Sequence, residues 1–160
     1  MNKTYLLLGS NMGNSKAQLV TAIKHIANTV GKPLRQSGLY ATAAWGNTNQ
    51  PNFLNQVIIV ETKLTGAETL QSILAIEKSM GRIRTVKNAP RIIDIDILFF
   101  NKEIIDQPGL IVPHPEIQNR RFVLVPVNEL SPQLNHPAFN KTIHQLLADC
   151  RDHLDVKKFY

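Results

Sequence analysis

An α/β (α+β) fold, an antiparallel sheet with two helices on one face, is predicted by three features of the sequence. Short apolar runs rich in Leu, Ile and Val alternate with two amphipathic stretches of helical period. Each stretch opens on a capping residue and closes at a glycine. Charged or turn-rich segments separate them from the strands. Taken in order, TYLLLG (4–9) is a buried first strand and SNMGNSK a loop. Asn14 or Ser15 caps a helix to about Val30, with Leu19, Ile23, Ile26 and Val30 on one face and Gly31 as the stop. A second strand is expected near Leu34–Tyr40, then a long loop, ATAAWGNTNQPN (41–52), and a third strand, FLNQVIIVET (53–62). Thr65 and Glu68 have capping-box spacing and start a second helix through about Met80, ended by Gly81. The basic loop GRIRTVKNAPR (81–91) leads into a fourth strand within PRIIDIDILFF (90–100). FFNKEII reads as a hairpin into a short extra strand, and DQPGLIVPHPEIQNRR as mostly loop. Residues 122–130 fit strand or helix, with Pro126 opposing a long regular element. Thr142–Cys150 is a short terminal helix. The order β-α-β-β-α-β over 4–100 is the ferredoxin-like pattern, followed by a C-terminal extension. The sheet face away from the helices is then free for a site.

The chain has 160 residues, 43% hydrophobic and 19% charged, which predicts one soluble globular domain over 1–160. No apolar run approaches the roughly 18 residues that a membrane helix needs, and the five-residue N-terminal run is too short for a signal-peptide core. A lone cysteine, Cys150, excludes an internal disulfide framework. It fits a reducing compartment, so a cytoplasmic location is expected; a monomer is expected as well. A net charge of +6 and a pI near 9.6 suit an anionic partner, either nucleic acid or a phosphorylated small molecule.

The fourth strand carries the sharpest chemical signal. Alternation puts Ile93, Ile95, Ile97 and Phe99 on one face, and Ile92, Asp94, Asp96, Leu98 and Phe100 on the other. Both acids then point the same way with Cα atoms roughly 6.5 Å apart. Two carboxylates in a partly apolar setting repel each other and lose hydration, a cost that a cation between them removes. Carboxylates suit Mg²⁺, which keeps several waters and is shared with substrate phosphates. Arg82, Arg84, Lys87 and Arg91 lie within fifteen residues of the acids. Their forked contacts suit phosphate oxygens, the partition expected of phosphoryl transfer. His114, between two prolines and followed by Arg120 and Arg121, is a further phosphate-contact candidate. Trp45, Phe53 and Phe122 could stack on a flat ring, and Asn55 shares a strand face with Phe53. No P-loop and no dinucleotide fingerprint occur.

GSN after strand one, YATAAWGNTNQPNFLNQV, GRIRTVKNAPRIIDIDIL and VPHPEIQNRRF, in this order and spacing over residues 5 to about 132, together resemble the hydroxymethyldihydropterin pyrophosphokinases of folate biosynthesis. The resemblance implies a ferredoxin-like enzyme that transfers pyrophosphate from ATP to a dihydropterin hydroxymethyl group with two Mg²⁺ ions, releasing AMP. It implies that Asp94 and Asp96 hold both metals and that Arg82 and Arg91 steer the phosphates. It puts Arg84, Ile97, His114 and Arg120 at ATP, and Thr42, Ala43, Trp45, Phe53, Asn55 and Phe122 around the pterin, with the two phenylalanines sandwiching its ring. The chain departs from many members at KNAPR, one residue shorter and without a Trp, and from some at Phe53, Gly109 and Ile111. Two rivals are a nucleotidyltransferase releasing pyrophosphate and a basic RNA-binding module. The second lacks its aromatic strand signature here, and unmetallated carboxylates would repel a phosphate backbone.

Overall fold

The computed structural model describes residues 1–42, 52–82 and 91–159. In chain order these form β1 (Asn2–Ser10), α1 (Ser15–Thr29), β2 (Gly31–Gln36), β3 (Tyr40–Thr42), β4 (Phe53–Thr62), α2 (Gly66–Ser79), β5 (Asp94–Phe100), β6 (Ile105–Gln107), β7 (Leu110–Val112), a 3₁₀ turn (Ile117–Asn119), α3 (Arg121–Leu130), β8 (Asn135–His136), β9 (Lys141–Thr142), α4 (Ile143–Asp149) and β10 (Val156–Lys158). The main sheet runs β10-β3-β4-β1-β5, with β2 also paired to β4, and each pair is antiparallel. The architecture is mixed α/β with an antiparallel sheet and four helices.

Local chemistry accounts for the two long helices. The Asn14 side chain accepts from Ala17 N at 3.1 Å to open α1. At α2 both halves of the expected capping box form, Thr65 Oγ1 accepting from Glu68 N and Glu68 Oε1 from Thr65 N. Leu19, Ala22 and Ile26 of α1, with Ile73 and Ile76 of α2, bury against Leu6, Leu8, Ile58, Val60, Ile95 and Ile97 of the sheet. Each fully buried Leu or Ile contributes roughly 1.5–3 kcal/mol, so this layer fixes the register of β1, β4 and β5.

The opposite sheet face is not free, contrary to the sequence expectation. Tyr5, Leu7, Val57, Ile59, Leu98 and Phe99 form a second core with Val123, Leu124, Val127 and Leu130 of α3 and Ile143 and Leu146 of α4. Residues 121–130 are helical with Pro126 inside. The apolar residues at helical spacing bury completely enough to outweigh one backbone hydrogen bond lost at the proline. A site on this face is confined to what α3 leaves open.

Three further differences have local causes. The second strand is split, because β2 pairs with residues 58–62 of β4 and β3 with 53–55. Ser37 between them is bonded to Val57 through both its backbone N–H and its hydroxyl. The short strand β6 pairs with β7 rather than returning on β5, turning through Pro108 and Gly109, whose φ of +79° suits the Pro-Gly order of a type II turn. On β5 the alternation breaks. Tyr5 pairs with Phe99 but Leu6 with Ile97, so Leu98 is an extra residue, a bulge. Phe99 therefore joins the second core and Phe100 the helix-side core, the reverse of strict alternation. The terminal strand β10 had no counterpart in the sequence reading.

Candidate active site

The site lies where β5, β1 and β4 end together, beyond the cover of α3. Gly9 pairs with Asp94 on one side and with Asn55 on the other, which puts the acid and the amide on one sheet face, separated by a residue without a side chain. A Cβ at Gly9 would stand 2.8 Å from Asn55 Oδ1, so a larger residue there would have to displace the Asn55 amide. The rest of the GSN motif has a visible task. Asn11 N donates to Arg91 O at 3.1 Å and Arg91 N donates to Asn11 Oδ1 at 2.8 Å. This two-way bond pins Arg91, at the end of the basic loop, beside the end of β1.

Charge is concentrated at Asp94. Arg82 Nη1 donates to Asp94 Oδ1 at 2.5 Å, and Arg91 Nη1 to Asp94 Oδ2 at 2.9 Å. Arg82 Nη1 also donates to Glu77 Oε2 at 2.8 Å. Glu77 is 2% exposed, and its Oε2 also accepts from Ile95 N at 2.8 Å. The helix carboxylate thus ties α2 both to β5 and to Arg82. Sequence reasoning passed over Glu77 although a signal was present: it falls four residues after Ile73 on the inward stripe of α2, where a charge needs a buried partner.

Asp96 differs from Asp94. The residue is half-buried, its carboxyl is desolvated by the surrounding protein, and among the described residues no hydrogen-bond donor reaches it. Desolvation first, and then the charges of Asp94 and Glu77, push its pKa up to about 7, against the pull of Arg82 and Arg120. His114 is held on its backbone by Leu98 O at 3.0 Å, and its Nδ1 accepts from Glu116 N at 3.1 Å. Burial, and then Arg120, lower its pKa below the ordinary histidine value. With Nδ1 accepting, the neutral ring carries its proton on Nε2. The side chain of Ile97 is buried in the helix-side core, so the strand backbone is what this residue offers a ligand.

The residues expected around the pterin partly assemble. Thr42 pairs with Phe53 across β3 and β4, and Asn55 Nδ2 donates to Thr42 Oγ1 at 3.2 Å. Phe53 Cδ1 lies 3.8 Å from the Cβ position of Gly9. Phe122, in the first turn of α3, is partly buried against the second core, and the Arg120 guanidinium lies 5.7 Å from its ring centroid. Ala43, Trp45, Arg84 and Lys87 lie outside the described residues. Among the described residues no group of three or more His, Cys, Asp or Glu is placed to hold a metal. The pair Asp94 and Asp96 still suits an ion that takes one or two protein carboxylates and completes its shell with water and phosphate. The carboxylate of Asp96, lacking a donor, marks where a cation would remove the desolvation cost. Among the described residues no helix is long and apolar enough to cross a membrane.

Residues 5–132 match the family model described as 7,8-dihydro-6-hydroxymethylpterin-pyrophosphokinase (HPPK). A 2-amino-4-hydroxy-6-hydroxymethyldihydropteridine pyrophosphokinase from Methylorubrum extorquens is 40% identical over 135 residues, covering 84% of this chain and 85% of the relative. The protein of the same name from Aquifex aeolicus is 38% identical over 145 residues, 91% of this chain and 90% of its own length. In three dimensions the chain resembles the Plasmodium falciparum HPPK-DHPS crystal structure at a TM-score of 0.78 and 19% identity. That match covers 92% of this chain and 43% of the larger one, so the chain spans less than half of that solved protein.

Proposed function

The chain belongs to the 7,8-dihydro-6-hydroxymethylpterin-pyrophosphokinase family, and on that premise we propose how its residues divide the work. The enzyme transfers pyrophosphate from ATP to 6-hydroxymethyl-7,8-dihydropterin in folate biosynthesis. The transfer joins the pterin hydroxymethyl oxygen to the β-phosphorus and breaks the bond between that phosphorus and the oxygen bridging it to the α-phosphate, so AMP leaves.

The observation that carries the residue assignment is the charge arrangement on β5. Asp94 is held by two arginines, and Asp96 beside it has no donor among the described residues. Asp94 and Asp96 would hold Mg²⁺, which neutralises triphosphate charge when bound. Arg82 and Arg91 rest on Asp94 and are the groups available to phosphate oxygens once that carboxylate has another partner. Glu77 keeps Arg82 from swinging away in the meantime. His114, neutral and with a proton on Nε2, donates to a phosphate oxygen without adding charge, and Arg120 adds charge at the same end. The Ile97 backbone would lie beside the nucleotide, with Arg84, which is outside the described residues, as a further nucleotide contact. Asn55 and Thr42, linked to each other, present amide and hydroxyl groups to the edge of the pterin; Ala43 and Trp45 complete the pocket, and Phe53 and Phe122 stack on the ring.

The strand order β3-β4-β1-β5, with α1 and α2 on one face, supports reading the fold as ferredoxin-like. Residues 1–160 would then be one domain, acting as a cytoplasmic monomer with ATP and the dihydropterin as its small-molecule substrates. The test is product identity. Incubation with ATP, Mg²⁺ and the dihydropterin should yield AMP and the pterin diphosphate, and Asp94→Ala or Asp96→Ala should abolish both. Release of free pyrophosphate would mean nucleotidyl transfer, and undiminished turnover in either variant would remove the metal assignment.

A further inference from the structure

The segment from Asp152 to Lys158 fastens both elements that carry the proposed pterin-stacking wall. The helix α3 opens at Arg121 without a capping side chain from the residue before it, Arg120. The missing acceptor comes from 31 residues further along the chain: Asp152 Oδ2 accepts from Arg121 N at 3.1 Å. Its other oxygen accepts from Leu154 N at 2.9 Å, which fixes the carboxylate's orientation. A negative charge is also favourable at the positive end of a helix.

The same segment then becomes β10 and pairs with β3, Val156 opposite Thr42 and Lys158 opposite Tyr40. Phe159 N extends the pairing to Leu39 O at 2.6 Å. The Lys158 ammonium lies 3.6 Å from Glu129 Oε1 near the far end of α3. Glu129 accepts from Tyr40 Oη at 2.6 Å and from Gly38 N at 3.1 Å. One stretch of chain therefore holds the first turn of α3, where Phe122 sits, and strand β3, where Thr42 sits.

We propose that Asp152 is a positioning residue for the pterin pocket. By capping α3 at Arg121 it sets the first turn of the helix and with it the plane of the adjoining Phe122 ring. The claim rests on the reading of Phe122 given above. A helix start without its cap frays first at the residues nearest the cap, here Arg121 and Phe122. The nucleotide end includes Arg120, which precedes α3, but rests chiefly on Asp94, Asp96, Arg82 and Arg91, which are held by β5, α2 and Asn11 and do not share this anchor.

Titrating purified variants separately with the dihydropterin and with Mg-ATP, alongside thermal melts, tests it. Loss of a cap corresponds to about a fivefold change in an equilibrium. Asp152→Ala should weaken pterin binding by about that factor and Mg-ATP binding by less than about twofold. Asp152→Asn should restore pterin binding, since its amide oxygen can still accept from Arg121 N. Thr142→Ala, which removes the equivalent cap of α4, should lower the melting temperature comparably and leave pterin binding as in the wild type. Equal losses for the two ligands, equal pterin losses in Asp152→Ala and Thr142→Ala, or no rescue by Asn would overturn the proposal. Phe122→Ala run in parallel separates the two claims. If it leaves pterin binding intact, the stacking assignment fails and the Asp152 role falls with it. If it weakens pterin binding and Asp152→Ala does not, only the role of Asp152 fails.

Discussion

Replacing Glu77 by Gln removes a single charge from beneath the site and changes little in volume. Its carboxylate oxygen accepts from Arg82 Nη1 and from Ile95 N, both at 2.8 Å, in a position 2% exposed. Gln retains an oxygen for Ile95 N and loses the charge facing Arg82. Breaking a buried ion pair outright costs about 3–5 kcal/mol, but Arg82 keeps Asp94 as a second partner. The relevant figure is that of one charge-assisted hydrogen bond, roughly 1.5–3 kcal/mol. For a chain of this size that lowers the melting temperature by about 3–12 °C. Urea unfolding at neutral pH should show the loss as a shifted midpoint with an unchanged slope. A double-mutant cycle with Arg82→Gln should return a coupling of about 1.5–3 kcal/mol. Arg82, left on Asp94 alone, should also compete more with Mg²⁺, raising the concentration needed for half-maximal AMP formation. A destabilisation below about 0.5 kcal/mol, within the range of ordinary surface substitutions, together with a coupling near zero, would refute the idea that Glu77 anchors Arg82.

The two strand acids should respond oppositely in the metal-free protein. Asp94→Ala removes the acceptor of two arginines and should cost about 1.5–3 kcal/mol, whereas Asp96→Asn removes a carboxylate that the fold disfavours in its charged form and should raise stability. The sign follows from a folded-state pKa of about 7 against the ordinary 3.8. The folded state binds more protons between these values, so this group makes stability fall as pH rises through that window. Melting curves at pH 5 and pH 8 without metal should show Asp96→Asn gaining more at pH 8, and a loss there would contradict the assignment. His136, 3% exposed and accepting from Ala138 N at 3.1 Å, has its pKa lowered by burial. The unfolded chain therefore takes up protons at this group first as pH drops below about 6.5, and the stability that His136 contributes declines from there. Asn at this position keeps an acceptor without titrating and should shallow that decline. An unchanged acid limb would show that His136 is not protonated on unfolding.

Most of what the sequence revealed about the fold was local. The capping box at Thr65 and Glu68, the glycine stops and the strand at 53–62 depend on neighbours a few residues apart, and each forms as expected. What escaped depends on distant partners. Residues 122–130 become a helix because their apolar stripe meets Tyr5, Leu7, Val57 and Ile59, a surface that only the assembled sheet provides. Phe99 and Phe100 exchange faces because of one bulge at Leu98, which a period of two cannot anticipate. The terminal strand β10 gains its partners from β3, more than a hundred residues earlier. At the site, Asp94, Arg82 and Arg91 were legible as opposite charges close in sequence. Glu77 could be placed on the inward stripe of α2, but the partners through which it and Asn11 hold the two arginines could not, because these are supplied through the loop end and the packing of α2 on β5.

Glu77 also changes the charge argument that first drew notice to β5. In the sequence four basic residues, Arg82, Arg84, Lys87 and Arg91, stand near the two acids Asp94 and Asp96. Among the described residues the cluster instead holds three carboxylates, of Glu77, Asp94 and Asp96, against the guanidiniums of Arg82 and Arg91. With all three ionised it is one charge negative, and the charges of Asp94 and Glu77 add to desolvation, the larger cause, in raising the pKa of Asp96. Taken alone, such a cluster repels a triphosphate. Arg120 only balances it; divalent cations held as proposed by Asp94 and Asp96 would reverse its sign and would compete with Arg82 and Arg91 for Asp94. On this account the arginines are not standing vacant for ATP. They rest on the carboxylate that the proposed metal would claim, so on this reading Mg²⁺ and the phosphates would favour each other's binding.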